Sequence, residues 1–197
     1  MKIIADFFVM MVTAIFIENA VLSRGLGMSR MIRLPLNRHD RMQYSLLVLV
    51  MTTVSSALCW AAQLTIRDTE YIYLFRPILF VFCISIVYLS VWFISKKFIP
   101  DVFSKIKNNL AMATFNCTVL GTVIIAAQSG TSFAKMIGFG IGSGIGYLLA
   151  VQLVCQVRKR LELCDVPKAF DGFPITLLYI GLLSLALYGL IGHQLPL

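Results

Sequence analysis

Six apolar stretches, each long enough to cross a bilayer, divide this chain: about residues 3–22, 43–64, 75–94, 111–128, 136–155 and 173–191. A helix needs roughly 20 apolar residues to span the hydrocarbon core. Backbone polar groups in that core must find partners inside the protein, so apolar runs of this length fold as helices. Composition agrees. Hydrophobic residues make up 59% and charged residues 13% of the chain, about half the charge fraction of a soluble domain, which runs near 25%. A soluble enzyme, a disordered tail and a disulfide scaffold are excluded on this ground. The expected architecture is an all-α membrane protein, a single integral domain over 1–197 with six transmembrane helices.

The connections set the orientation. Loop one carries Arg24, Arg30, Arg33, Arg38 and Arg41; loop three carries Lys96, Lys97, Lys105 and Lys107; loop five carries Arg158, Lys159, Arg160 and Lys168. The opposite side has Lys2, Arg67, Arg76 and Lys135, offset by Asp6, Asp68 and Glu70. Basic residues collect on cytoplasmic loops, so loops one, three and five are expected in the cytoplasm and both termini outside. The net charge of +8 is accounted for by this bias, and no nucleic-acid partner is expected. Lys2 before an apolar run imitates a signal peptide. Asp6 interrupts that run and no small-x-small cleavage site precedes Glu18-Asn19, so the segment reads as the first span.

The leading helices of the two halves share a short motif. Asn19-Ala20-Val21-Leu22 lies in the first span and Asn116-Cys117-Thr118-Val119-Leu120-Gly121 in the fourth. A repeat of three spans is odd, so its second copy enters from the opposite face; the halves, about 1–94 and 111–191, are expected to form two inverted three-helix repeats. Glu18 and Asn19 break an apolar run, and Gly25 and Gly27 favour unwinding just beyond them. Helices 1 and 4 are therefore expected to be interrupted, with irregular backbone covered by protein. Glu18 has two readings: a polar site facing the interior, or a residue near the helix end with Arg24 snorkelling beside it.

Cysteines are candidate metal donors. Cys117, beside Asn116, is either a small buried hydrophobe or a thiolate ligand of the soft type that iron–sulfur clusters use. Cys59 and Cys83 read as packing residues, and Cys155 and Cys164 as inert flanks of loop five. Gly138, Gly142 and Gly146 line one helical face and predict close approach of a neighbouring helix. Ser129-Gly130-Thr131-Ser132 reads as a turn. His39 and His193 are solitary, and no nucleophile–base pair is visible.

In order along the chain, residues 19–27 (NAVLSRGLG), 116–121 (NCTVLG), 157–161 (VRKRL) with 165–167 (DVP), and 170–177 (FDGFPITL) resemble the A-type and E-type membrane subunits of the Rnf and Nqr ion-translocating electron-transport complexes. The resemblance implies a non-autonomous subunit of an ion-transporting ferredoxin:NAD oxidoreductase in the bacterial cytoplasmic membrane. Its implied partners are a sister subunit of opposite topology, other Rnf-type subunits, Na+ or H+, and the bilayer. It further implies a binuclear (2Fe-2S) cluster shared with the sister, relaying electrons across the membrane, each subunit giving two cysteines. Cys117 matches one of those positions. Ser29 stands at the other, two residues after Leu26-Gly27. The alternative is a divergent member without a cluster, acting as a structural or permease-like subunit.

Overall fold

A computed structural model of the chain describes residues 2–35, 37–66, 72–98, 100–129, 132–161, 163–164, 167 and 170–191. Arg67, Asp68, Glu70, Gly130, Thr131, Asp165, Val166, Lys168 and His193 lie outside the described residues. The described residues form helices and their connections. They are α1 (Lys2–Val12, continued by a π-helical turn Thr13–Ile17), α2 (Met28–Ile32), α3 (Arg38–Ile66) and α4 (Ile72–Phe98). Then come α5 (Pro100–Thr114), α6 (Cys117–Ser129), α7 (Phe133–Leu161) and α8 (Phe173–Ile191). Four helical segments are long and apolar enough to cross a membrane: Arg38–Leu64, Phe75–Phe98, Ile106–Gln128 and Phe133–Leu161. Ile3–Ile17 and Phe173–Gly189 are shorter apolar helices.

One departure from expectation concerns the chain's middle. The expected polar loop three is largely helical, because α5 begins at Pro100 and runs to Thr114. Proline fits a first helical turn, where its missing N–H is not needed. The fourth apolar stretch is split at Phe115 and Asn116 between α5 and α6, where an interruption of helix 4 is expected.

α7 is the central helix, packing on α3, α1 and α6. Lipid tails are as apolar as leucine, so helix association in a bilayer relies on close packing and hydrogen bonds. Glycines supply the first. Gly138, Gly142 and Gly146 all face α1 or its extension, meeting Phe7, Met11, Ala14 and Asn19. Gly140 and Gly144 face α3, where Gly144 approaches the Leu49 backbone so closely that a Cβ would stand 2.7 Å from its Cα. Hydroxyls supply the second, with Thr122 and Ser143 linking α6 to α7 at 2.6 Å.

Gly144→Ala is expected to destabilise the protein by about 1–3 kcal/mol through overpacking, read from SDS-induced unfolding in mixed micelles. Gly181→Ala in α8, where nothing lies within 4 Å, is the matched control and is expected to leave the midpoint unchanged or slightly raised. Equal losses at the two positions would remove the packing argument.

Candidate functional site

The first helix does not continue to residue 22. Its last turn is wound as π-helix, closed by the Glu18 N–H donating to the Thr13 carbonyl at 2.8 Å. Asn19 then replaces the lost helical bonds. Its Oδ1 accepts from the Val21 and Leu22 N–H groups at 3.0 and 3.1 Å, and its Nδ2 donates to the Ile15 carbonyl at 2.9 Å. Ala20, Val21 and Leu22 are buried, and local bonds such as Gly25 N–H to Val21 O and Leu26 N–H to Ala20 O complete the turn. Irregular backbone inside a membrane protein is stable under these conditions: covered, and internally hydrogen-bonded. Glu18 itself is not part of a buried site. It pairs with Arg24 at 3.4 Å, both side chains partly exposed, as the snorkelling reading has it.

The second break is built in the same way. Asn116 Oδ1 accepts from the Thr118 N–H at 3.1 Å, and the Val119 N–H donates to the Asn116 carbonyl at 3.0 Å. Asn116 Nδ2 donates to the Tyr44 hydroxyl at 3.3 Å, which in turn donates to the Met112 carbonyl at 3.1 Å. Tyr44 thereby ties the start of α3 to the end of α5 and to Asn116 in the gap before α6. Arg30 of α2 lies over the Tyr44 ring, 5.5 Å from its centroid, a cation–π distance.

The two breaks touch. Gly27 has a left-handed backbone with φ +73°, and the space a side chain would need is taken by Thr118 Oγ1 and Asn116 Oδ1. Thr118 Oγ1 donates to the Leu26 carbonyl at 3.2 Å, and the Leu26 side chain covers Gly121. Cys117 sits between the two residues that Gly27 contacts. It is exposed and lines a cleft of about 130 Å³ with Val81, Ile84 and Leu120 among its walls. Ser29, two residues beyond Gly27, is exposed as well. The structure thus brings the segments of Ser29 and Cys117 together at one crossing.

The remaining thiols are elsewhere. Cys59 and Cys83 are buried in an apolar cluster with Phe80 and Phe139, in keeping with a packing role. Cys155 is buried and accepts a hydrogen bond from Arg41 Nη1, while Arg41 Nη2 donates to Gln152 Oε1 at 3.1 Å. Arg41, which the sequence presents as a topology-setting loop charge, is buried in the first turn of α3. Cys164 is exposed in the loop after α7.

Among the described residues no group of three His, Cys, Asp or Glu could hold a metal ion. A two-iron cluster takes four thiolates or imidazoles. At the crossing this chain offers one thiol, Cys117, and one hydroxyl, Ser29, a harder donor than thiolate. The set does not fit a share of two thiolates.

The family profile for the Rnf-Nqr membrane-protein subunits matches residues 7–193. The chain is 34% identical to the A-type subunit of the Na+-translocating ferredoxin:NAD+ oxidoreductase complex of Acetobacterium woodii, over 94% of this chain and 96% of the relative. It is 31% identical to the A-type subunit of an ion-translocating oxidoreductase complex of Syntrophotalea carbinolica, over 92% and 94%. The A-type subunit of the proton-translocating ferredoxin:NAD+ oxidoreductase complex of Clostridium ljungdahlii is 28% identical, over 95% and 97%. With a match across nearly its whole length and relatives of the same size, the chain belongs to the Rnf-Nqr family of integral membrane subunits.

Proposed function

We propose that this chain is a membrane subunit of an Rnf-type ion-translocating oxidoreductase complex, paired with a sister subunit of opposite topology and working with Na+ or H+ as the transported ion. What carries the reading is the crossing itself: two interrupted helices, each capped by an asparagine in the same way, meet where Gly27 seats on Asn116 and Thr118. That likeness also supports two inverted three-helix repeats forming six spans, and the basic residues of loops one, three and five support both termini outside the bacterial cytoplasmic membrane. In this reading Cys117 is the chain's thiolate toward an iron–sulfur cluster held jointly with the sister, which would carry electrons between the two faces.

Ser29 favours a second reading. A chain that brings one thiolate where the pattern has two is also suited to a structural or permease-like role in a complex of the same build. The two readings share an assembly and differ in iron.

The test is isolation of the tagged chain from its native membranes in mild detergent. The expected preparation contains electron-carrier subunits together with a sister membrane subunit, and oxidises ferredoxin or NADH in a Na+- or H+-dependent way. Iron and acid-labile sulfide then separate the two readings. A chain that purifies alone, without such activity in the membranes it came from, would overturn both. For orientation, Cys164 is expected to react with a membrane-impermeant maleimide in inside-out vesicles and not in right-side-out ones.

A further inference from the structure

A second polar cleft among the described residues shares no lining residue with the cleft at Cys117. It has a volume of about 350 Å³ and is lined by Ile32, Arg158, Leu161, Asp171, Phe173 and Thr176, among others. That size falls within the range of small-molecule clefts, about 300–1,000 Å³.

Its position is at the edge of the membrane. Arg158 belongs to the last turn of α7 with Lys159 and Arg160, and the apolar run of α8 starts at Phe173. Where a basic helix end meets the first apolar residues of a lipid-facing helix, the level is that of the headgroups. α8 is peripheral: Phe173, Leu178, Leu182 and Leu185 are all more than half exposed.

The charges in the cavity are of opposite sign and are not paired with each other. Arg158 Nη1 is fixed by donating to the Ile32 and Leu34 carbonyls at 2.8 and 3.1 Å. Its Nε and Nη2 have no acceptor among the described residues. Asp171 is exposed and has no ion-pair or hydrogen-bond partner among them; the Thr176 hydroxyl, nearby, is spent on the Gly172 carbonyl at 2.8 Å. A cavity with a clamped guanidinium at one wall and, at another, a carboxylate that no described residue pairs is complementary to a zwitterion carrying phosphate and ammonium.

We propose that this cavity binds the headgroup of an aminophospholipid of the phosphatidylethanolamine type. The lipid phosphate meets the free N–H groups of Arg158, and the ammonium meets Asp171. Its acyl chains run along the exposed apolar face of α8. A lipid with phosphate and no amine satisfies only Arg158 and leaves Asp171 facing an anion.

The complex containing this chain, stripped in detergent and exposed to defined lipids, is read by native mass spectrometry. Phosphatidylethanolamine is expected to be retained about two- to fivefold over phosphatidylglycerol, the span of a partly exposed charge pair. In Asp171→Asn that ratio falls to one or below. Asp171 has no intramolecular partner among the described residues, so this variant keeps the fold; Arg158→Gln, which also loses the two carbonyl bonds, is secondary. Equal retention of the two lipids by the unaltered complex, or an unchanged ratio in Asp171→Asn, overturns the proposal. So does displacement by an equal concentration of soluble glycerophosphoethanolamine, which would make the ligand a free zwitterion. Occlusion of the cavity by another component of the complex, with no lipid retained, overturns it as well.

Discussion

Gly27→Ala is expected to unfold far more readily than Gly25→Ala, although both glycines have the same left-handed backbone, at φ +73° and +68°. Placing an L side chain in that region costs about 1–2 kcal/mol at either position. At Gly25 little is added, since the nearest atom to a new Cβ is the mobile Met28 methyl at 3.5 Å. At Gly27 the Cβ falls onto Thr118 Oγ1 and 2.7 Å from Asn116 Oδ1. Both are held by hydrogen bonds of the second break, so neither can swing aside. Overpacking of this kind adds about 1–3 kcal/mol, for a total of about 2–5 kcal/mol at Gly27. Unfolding in mixed micelles measures the difference. Adding Thr118→Ala to Gly27→Ala removes one of the colliding atoms and is expected to recover about 1 kcal/mol of the loss, a coupling that residues in direct contact show. If Gly25→Ala and Gly27→Ala are equally harmful and Thr118→Ala recovers nothing, the two breaks are not mechanically joined. Because Thr118 and Asn116 flank Cys117, Gly27→Ala is also expected to change the rate at which a membrane-permeant thiol reagent modifies Cys117.

Much of this arrangement is visible in the residues. Apolar runs locate spans because a bilayer offers no other partner for the backbone, and a polar pair such as Glu18-Asn19 inside one marks a break. Asn116 is harder to read: nothing around it is charged, and only its likeness to Asn19 suggests an interruption. α5 is not legible, because Lys105, Lys107, Asn108 and Asn109 have the composition of a loop while the helix is settled by its packing on α3 and α4. The glycine pattern in α7 predicts one close face. The second, Gly140 and Gly144 against α3, depends on a neighbour at a sequence distance that periodicity does not reveal. Arg41 and Tyr44 are invisible for the same reason. One is a basic residue among others in a basic loop, the other an aromatic near a helix start. Their partners, Cys155 and Asn116, are more than 70 residues away.

Ser29→Cys is expected to raise the iron and acid-labile sulfide retained by the purified complex, and to strengthen its visible absorption. The reason lies in the donor set. Gly27 contacts both neighbours of Cys117, and Ser29 follows two residues on, in α2, exposed like Cys117. A thiolate at this place gives the crossing two soft donors in place of one, and iron bound to sulfur prefers thiolate to alkoxide. Iron per complex, and its resistance to a chelator, are therefore expected to rank Ser29→Cys above the unaltered protein. Cys117→Ala is expected to fall to background. The double variant Ser29→Cys with Cys117→Ala should retain no more iron than the unaltered protein, since each offers the crossing a single thiolate. Cys117 is exposed, and no described residue hydrogen-bonds to its side chain, so its loss leaves the helices packed and the comparison interpretable. Iron that persists undiminished in Cys117→Ala would place any cluster outside this chain. Iron absent from the unaltered protein and present in Ser29→Cys would identify a site shaped for a cluster that Ser29 disables, which is the structural-subunit reading.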